Sequence, residues 1–528
     1  MADALEKRIK KHIIGKLHRF LAVAPLGFEQ TLVDEIEFIR QKTRDESVCF
    51  DKLSTGLGST TRCHSETQCG KESSAVQSAD HPQIVSDGKV EFTSKLTDAW
   101  KIVAYSRIAN RVLMEIANFK AENFRELEKK ASEIPWELYL EDRRETNDEK
   151  RRSPVEARNV KKDERCNSNN LKLATSNSIN IHVTCKHSRL YHSEAITERL
   201  EKILSERIIF SKASETSDLI AHPPQHLYVN FLDDRCTIWL DLAGEELYKR
   251  GFERFVNEAP LKETIAAAMI FEAIHLMDSM VRQAHQPSDS TNLQDDKKVN
   301  LQSEQPHSSH LTTLIDPMSG SGTFSLEAAC IANKIIPGIC RDFALKHQPA
   351  FKETTWKYII RRENCTTATI ANIITSDISE RSIEIIKHNI ECGPLAQIDP
   401  NGNTPTISPQ LRDFFSYTAK EIANASEDTS PILVLNPPYG KRLDFDAPKL
   451  YTKIGKKLAD LARELRLLGK TLTVAILAPK DDTRNGSKYT CTTNLLRECS
   501  QLTPKNPHVK IIETSHGGFS LNAIFATI

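Results

Sequence analysis

Apolar and polar residues recur with two different periods along the first half of this chain, and each change of period predicts a new element. From Phe20, the segment FLAVAPLGFEQTLVDEIEFI gives a short apolar strand and a Pro-Leu-Gly turn. Leu32, Val33, Ile36 and Ile39 then follow at helical spacing, completing a β-turn-α unit. Residues 89–93 (KVEFT) alternate as a strand. Leu96, Trp100, Val103, Ala104 and Ile108 share one face of a helix over 96–108, and RVLMEIANF returns to strand character. A second helix is predicted from Asn123 to Ile134, capped by Asn123 with Glu126 three residues on and closed by Pro135-Trp136. INIHVTC, from Ile179 to Cys185, alternates again, and a helix follows through Ile196, Leu200 and Leu204. LYVNFLDDRCTIWLDLAG predicts two strands around an Asp233-Asp234 turn.

After a linker from Phe252 to Pro260 the pattern changes. Strands now read as short continuous apolar runs, the signature of a parallel sheet buried on both faces. Ala259-Pro260-Leu261-Lys262-Glu263-Thr264 opens a long apolar helix, with proline near its first turn and an early acidic residue suited to the helix dipole. LTTLIDPM ends at Asp316-Pro317 and passes through Ser319-Gly320-Ser321-Gly322-Thr323 into a helix over 324–334. ATIANIITSD ends at Asp377, TISPQL precedes Asp413, and the run from Ile432 ends at Asn436-Pro437-Pro438-Tyr439, where two prolines forbid both a continued ladder and an immediate helix. Four strand ends thus carry Asp316, Asp377, Asp413 and Asn436 at the edge where open α/β sheets bind ligands.

Between these elements lie polar stretches. Residues 54–87 are rich in Ser, Thr, Gly and Gln, 283–309 in Gln, Ser and Asp, and 141–170 form a mixed-charge run with almost no apolar residues. All three read as solvated insertions. Cys63, His64 and Cys69 lack a second pair at zinc-finger spacing. His182, Cys185, His187 and His192 lack a completing carboxylate, so no metal site is expected. The basic segment of residues 1–20 lacks a secretory core and contains Asp3 and Glu6; it reads as an exposed helix.

Composition adds limits. A chain of 528 residues with 39% hydrophobic content supports several globular domains. Lys+Arg 71 against Asp+Glu 71 gives no overall basic excess, so any nucleic-acid surface must be local. Twelve cysteines without repeated spacing point to reduced thiols and a cytoplasmic setting, and no apolar stretch is long enough to span a bilayer.

The strand ends suggest chemistry. Two glycines at a strand-to-helix turn let backbone approach a ligand closely, as in nucleotide-type cofactor loops, or simply make a tight turn. The loop is no P-loop, because no lysine follows the second glycine. Asp377 is placed to accept ribose hydroxyls and Asp413 to accept from an adenine amine, or either caps a helix. Asp377 also lies much farther from the loop than the roughly 20 residues of a dinucleotide fingerprint, so PGICRDFALKHQPAFKETTWKYIIRR must be extra helix and loop. The side-chain oxygen of Asn436 and the Pro437 carbonyl can accept both hydrogens of an exocyclic amine, with Tyr439 offering a flat surface to the base. The alternative is a strand-terminating turn.

Together LYKRGF from Leu247, APLKETIAAA from Ala259, DPMSGSGT from Asp316, SDIS from Ser376 and NPPYGKRLD from Asn436 resemble the class I S-adenosylmethionine-dependent RNA methyltransferases that carry an N-terminal THUMP domain, in particular the bacterial large-subunit ribosomal RNA guanine-N2 type. The similarity runs from about Phe20 to the end, insertions apart, in the same motif order. It implies an α/β, Rossmann-like methyltransferase domain over 258–528 with a C-terminal antiparallel hairpin. A ferredoxin-like piece over 16–88 and a THUMP module over 89–245 would precede it. It further implies that Pro260, Leu261 and Glu263 close the methionine end of S-adenosylmethionine, that Asp316, Met318, Gly320, Ser321, Gly322 and Thr323 form its loop, and that Asp377 with Ile378 takes the ribose. Asp413 would take the adenine, and Asn436, Pro437, Pro438 and Tyr439 the target base. Ser319 stands where the family often has cysteine, with no loss expected. The implied partner is RNA, ribosomal first and transfer RNA second. A DNA adenine methyltransferase would share the Asn-Pro-Pro-Tyr motif without a THUMP module, and a non-catalytic RNA-binding protein with a vestigial cofactor fold is the alternative of another class. Removing residues 1–252 is expected to leave cofactor binding intact and to abolish methylation of structured RNA, since the glycine loop and Asn436 both lie after the linker.

Overall fold

A computed structural model describes residues 2–54, 81–140, 179–207, 223–257, 260–284, 311–361, 370–397, 405–439, 446–481 and 490–528. The mixed-charge run and most of the two polar insertions lie outside these residues, as do Cys63, His64 and Cys69. The strands form two seven-stranded sheets, one in each half of the chain.

In the first sheet, β1 (Leu17–Val23), β2 (Gln83–Ser86), β3 (Lys89–Lys95) and β4 (Arg111–Lys120) lie in the order β2-β3-β1-β4, with α2 (Glu29–Ser54) and α3 (Leu96–Tyr105) as crossovers. That is a ferredoxin-like β-α-β-β-α-β unit. The sheet continues without a break through β7 (Arg235–Asp241), β6 (Gln225–Leu232) and β5 (Ile179–Lys186), accompanied by α4 (Phe124–Ser132) and α5 (Ser193–Arg207). A boundary at 88/89 falls in the turn between β2 and β3, and the two N-terminal pieces share one sheet. Alternation decides its faces. Phe20, Ala22, Val90, Phe92, Val112, Met114, Ile238 and Leu240 are buried with the helices in one core, whereas Leu21, Leu113 and Trp239 form a separate small cluster on the opposite face.

Several expectations hold in detail. Asn123 caps α4 by accepting from the Glu126 N–H, and Asp233 and Asp234 both take left-handed φ (50° and 62°) in the β6–β7 turn. Others need correction. The N-terminal segment is not simply exposed: Ile9, the last residue of α1 (Ala2–Ile9), and Ile13 are buried and pack on the main core. Helix α3 stops at Tyr105 and does not reach Ile108, since the buried Glu35 carboxylate accepts from the Ser106 hydroxyl (2.5 Å) and the Arg107 N–H (2.8 Å), pulling the chain out of helical register. The insertion read as 54–87 contains β2, a fully exposed edge strand paired to β3.

The second sheet has the order β10-β9-β8-β11-β12-β14-β13. β8 (Thr312–Asp316), β9 (Ile370–Asp377), β10 (Gln410–Leu411), β11 (Ser430–Leu435) and β12 (Thr473–Pro479) are parallel, while β14 (Phe519–Thr527) is antiparallel to β12 and forms a hairpin with β13 (Val509–His516). Helices α6 (Glu263–Ala284), α7 (Thr323–Ala332), α8 (Glu353–Ile359), α9 (Glu380–Cys392), α10 (Ala419–Ala425), α11 (Ala447–Leu467) and α12 (Cys491–Glu498) complete the second half. This is the doubly wound, Rossmann-like class I methyltransferase fold with its C-terminal hairpin, and its central strands β8, β11 and β12 are buried on both faces as the apolar runs require. The strand expected over TISPQL shrinks to two residues, because Pro409 has no N–H to give the ladder. Helix α7 ends at Ala332 and not at Lys334, which takes a positive φ of 52°.

The two halves are joined by buried polar contacts. Glu327 of α7 accepts from Arg250, just before the linker (3.0 Å), and from Arg107 of the first half (3.3 Å), all three side chains being at most 5% exposed. The extra segment between the glycine loop and β9 also serves the joint: Arg341 donates to the Glu245, Glu246 and Lys249 carbonyls, and Gln348 to that of Asp241. Among the described residues no helix is long and apolar enough to cross a membrane.

Candidate active site

Because β8, β9, β10 and β11 are parallel, Asp316, Asp377, Asp413 and Asn436 all reach the same edge of the second sheet. The glycine loop fills the space between the first two. Ser319 fixes it to β9, its N–H (3.1 Å) and hydroxyl (2.8 Å) both donating to the Ser376 carbonyl. The Gly320 N–H donates to Asp377 at 2.8 Å. Both glycines are required, for different reasons. Gly320 has φ 55° with only open space where a Cβ would stand. Gly322, at φ 79°, packs so closely on α9 that a Cβ would sit 2.8 Å from Ile386. The open side of Gly320 is a cradle, and the tight side of Gly322 anchors it.

Asp316 is fully buried, and the Ser325 hydroxyl donates to its Oδ2 at 2.7 Å. Its Oδ1 has no hydrogen-bond partner among the described residues. Burial pushes this carboxyl up to about 7, with the nearby Asp377 charge adding in the same direction. A carboxyl so placed is held either by its own proton or by a cationic partner. Asp377 accepts from the Gly320 N–H and the Ser379 N–H (2.9 Å), one bond to each oxygen, so it ties loop to helix and keeps lone pairs for further donors. Beside it Ile378 is 73% exposed, an apolar side chain presented to solvent at a ligand edge. Asp413 accepts from the Phe415 N–H at 3.0 Å and caps a short turn at the end of the edge strand.

Leu261 is buried, and Pro260 and Glu263 are half-buried at the start of α6, across from the loop; Met318 packs on the second core. What connects them is Arg254, which sequence reasoning passed over in the linker. Its guanidinium pairs with Glu263 and donates to the Thr323 hydroxyl (2.7 Å) and the Ser321 carbonyl (3.2 Å), holding α6 against the glycine loop. Ser321 and Thr323 are buried accordingly.

Asn436 begins where β11 stops. Its Oδ1 is buried and has no hydrogen-bond partner among the described residues, a second orphaned acceptor at the same sheet edge as that of Asp316. An acceptor left unpaired in this way costs about 1–3 kcal/mol, which a donating ligand recovers. Pro437 is buried, Pro438 exposed and Tyr439 half-buried. Tyr439 is held from the C-terminal hairpin, its hydroxyl 3.1 Å from His516 Nδ1 and its ring edge-to-face with Phe519. Nothing in the sequence pattern pointed to His516 or Phe519.

Known proteins share both sequence and fold with this chain. Residues 308–475 match the family profile described as RMKL-like, methyltransferase domain. Over 396 residues the chain is 26% identical to a protein of Psychromonas ingrahamii named Ribosomal RNA large subunit methyltransferase K/L, an alignment covering 72% of this chain and 41% of that protein. The chain thus spans about two fifths of the length of that relative. A crystal structure described as a possible methylase from Clostridium difficile 630 shares the fold with a TM-score of 0.57 at 18% identity, covering 97% of this chain and 98% of that one. So does SMU.472 complexed with SAH, with a TM-score of 0.55 at 18% identity and 97% and 98% coverage.

Proposed function

We propose that this protein is an S-adenosylmethionine-dependent RNA methyltransferase that modifies the exocyclic N2 amine of a guanine in large-subunit ribosomal RNA. The observation that carries the reading is the pair of buried, unpartnered acceptors, Asp316 Oδ1 and Asn436 Oδ1, at one sheet edge. The first suits a cationic cofactor; the second suits an amine hydrogen. A ring nitrogen such as guanine N7 has no hydrogen for Asn436 to accept, so the site favours an exocyclic amine.

The residues present fit S-adenosylmethionine. The open face of Gly320 leaves room for it against backbone, Asp316 is a buried acid in need of a positive partner, Asp377 has lone pairs for ribose hydroxyls, and the exposed Ile378 offers an apolar face to adenine. Pro260, Leu261 and Glu263, braced by Arg254, would close the methionine end and Asp413 would meet the adenine amine. When bound, the cofactor supplies a methyl group activated on a sulfonium. The chain's own residues do the orienting. An aromatic amine is a weak nucleophile because its lone pair is delocalised into the ring. Accepting its two N–H bonds at Asn436 and the Pro437 carbonyl holds that lone pair toward the methyl, while Tyr439 stacks on the extruded base. The amine becomes acidic as it is methylated, and its proton leaves to water.

Cofactor binding should be linked to a proton. Because the Asp316 carboxyl is pushed up to about 7 in the folded protein, above its ordinary value, the stability it contributes is fully present below about pH 4 and is lost as pH rises through about 7. A cationic ligand prefers the ionised form, so binding near pH 6.5 should release a proton to buffer. Calorimetric titration in buffers of different ionisation enthalpy should show that release, and Asp316→Asn should abolish it. Buffer-independent heats from the unmodified protein would remove Asp316 from the cofactor site.

The first sheet supplies a reason to expect RNA. Strand alternation places Arg19, Lys89, Lys95, Lys120, Lys186 and Arg235 on the face opposite the helices, against Glu91 and Glu115, in a chain whose total charge is balanced. On the same face the rings of His182 and Tyr228 are stacked 4.7 Å apart, with the Arg111 guanidinium 5.5 Å from the Tyr228 ring. Charge and flat rings together suit a nucleic-acid strand. Reversing Lys186 and Arg235 to glutamate should weaken RNA binding and lower its salt slope by roughly one per lost phosphate contact. Affinity for S-adenosylmethionine should not change, and an unaltered salt slope would place the RNA elsewhere. Transfer of labelled methyl from S-adenosylmethionine to ribosomal RNA fragments, with transfer RNA competing, tests the reading as a whole: preferential labelling of transfer RNA would overturn the ribosomal assignment.

A further inference from the structure

The hairpin of β13 and β14 closes through Gly517 and Gly518, with φ of 58° and 82° and open space where a Cβ would stand. Two consecutive left-handed glycines make the tightest hairpin turn, and they set His516 directly opposite Phe519 at its tip. Both side chains are half-buried against Tyr439. The turn itself asks nothing of either flanking residue. Among the described residues, Tyr439 is the hydrogen-bond partner that the His516 ring has.

We propose that His516 is a positioning residue for the base-stacking ring, fixing Tyr439 through the 3.1 Å hydrogen bond between its Nδ1 and the Tyr439 hydroxyl while Phe519 bounds the ring's edge at 6.0 Å. The inference rests on the methyltransferase reading above. A phenol ring attached after two prolines has its backbone fixed, but its tilt is set by what it touches. Stacking on a base requires one tilt. A hydrogen bond at the far end of the ring, with an aromatic edge beside it, supplies that constraint from the hairpin tip, which the antiparallel pairing of β14 with β12 brings to the same edge of the sheet. Burial, together with the Lys262 charge, lowers the pKa of His516, so the imidazole that holds Tyr439 is neutral at physiological pH.

The test is a double-mutant cycle read by single-turnover methylation of RNA. If His516 acts through the Tyr439 hydroxyl, His516→Phe and Tyr439→Phe should each slow the methyl-transfer step about tenfold. The double variant should be no slower than either alone, with S-adenosylmethionine affinity unchanged in all three. His516→Gln, which keeps a hydrogen-bonding group at similar reach and guards against a folding defect, should recover most of the rate. Additive losses of about a hundredfold in the double variant, or a wild-type rate in His516→Phe, would overturn the proposal. Asn436→Ala in the same assay separates the two levels. If that variant keeps its rate, the base-site reading fails; if it collapses while His516→Phe does not, only the role of His516 fails.

Discussion

Asn436→Ala should bind S-adenosylmethionine and RNA almost normally and yet transfer methyl a hundred- to a thousand-fold more slowly. The asymmetry follows from position. Asn436 stands at the end of β11, next to β8, and none of the hydrogen bonds that hold the glycine loop and Asp377 among the described residues involves it. Its buried Oδ1 is unpaired in the free protein, so removing it does not break an existing hydrogen bond among the described residues and should leave the fold intact. What is lost is an acceptor that orients the amine. Removing one positioned polar group from an active site costs roughly 3–4 kcal/mol at the barrier, which gives the stated range. Asn436→Asp keeps an acceptor and should lose less. Single-turnover rates measured beside both affinities decide the matter. A near wild-type rate in the alanine variant would return Asn436 to the role of strand terminator.

Glu327→Ala should destabilise the folded protein by about 3–5 kcal/mol without touching a residue that meets cofactor or base. Burial alone would raise the Glu327 pKa, but Arg250 and Arg107 hold it below its ordinary value. Removing the carboxylate strands two guanidinium groups in the joint between the halves, each at most 5% exposed. Chemical denaturation of wild type, Glu327→Ala and Glu327→Gln would check this, with a loss below about 1 kcal/mol, the range of an exposed pair, counting against the network. The same joint revises an expectation drawn from the sequence. A fragment lacking residues 1–252 would lose both Arg107 and Arg250 and expose Glu327 together with the packing of α6 on α2. It should therefore fold poorly, and intact cofactor binding by the bare catalytic half is no longer expected.

What was legible in the sequence was local. Strands buried on both faces appear as apolar runs, and each ends at a residue that stops it: Pro317 after Asp316, or Pro437 and Pro438 after Asn436. The order of the four strand ends is therefore readable from the residues alone. Asn123 and the Asp233-Asp234 turn announce themselves because capping and left-handed turns demand particular side chains at fixed offsets. Edge strand β2 was missed because all four of its residues are exposed, leaving no burial pattern to read. The end of α3 was missed because Glu35, distant in sequence, competes for its backbone. Arg254, His516 and Glu327 were invisible for a related reason. Each acts across elements that only the tertiary fold brings together, and an isolated arginine, histidine or glutamate carries no offset rule. TISPQL misled by composition: its pattern suits a strand, and one proline cuts it to two residues.

The most direct test of the central claim is the identity of the methylated nucleoside. The purified chain, incubated with S-adenosylmethionine and large-subunit ribosomal RNA that lacks this modification, should yield N2-methylguanosine on digestion and mass spectrometry, and the Asn436→Ala protein should yield almost none. Recovery of 7-methylguanosine or N6-methyladenosine as the product would contradict an Asn436 site built for the guanine N2 amine.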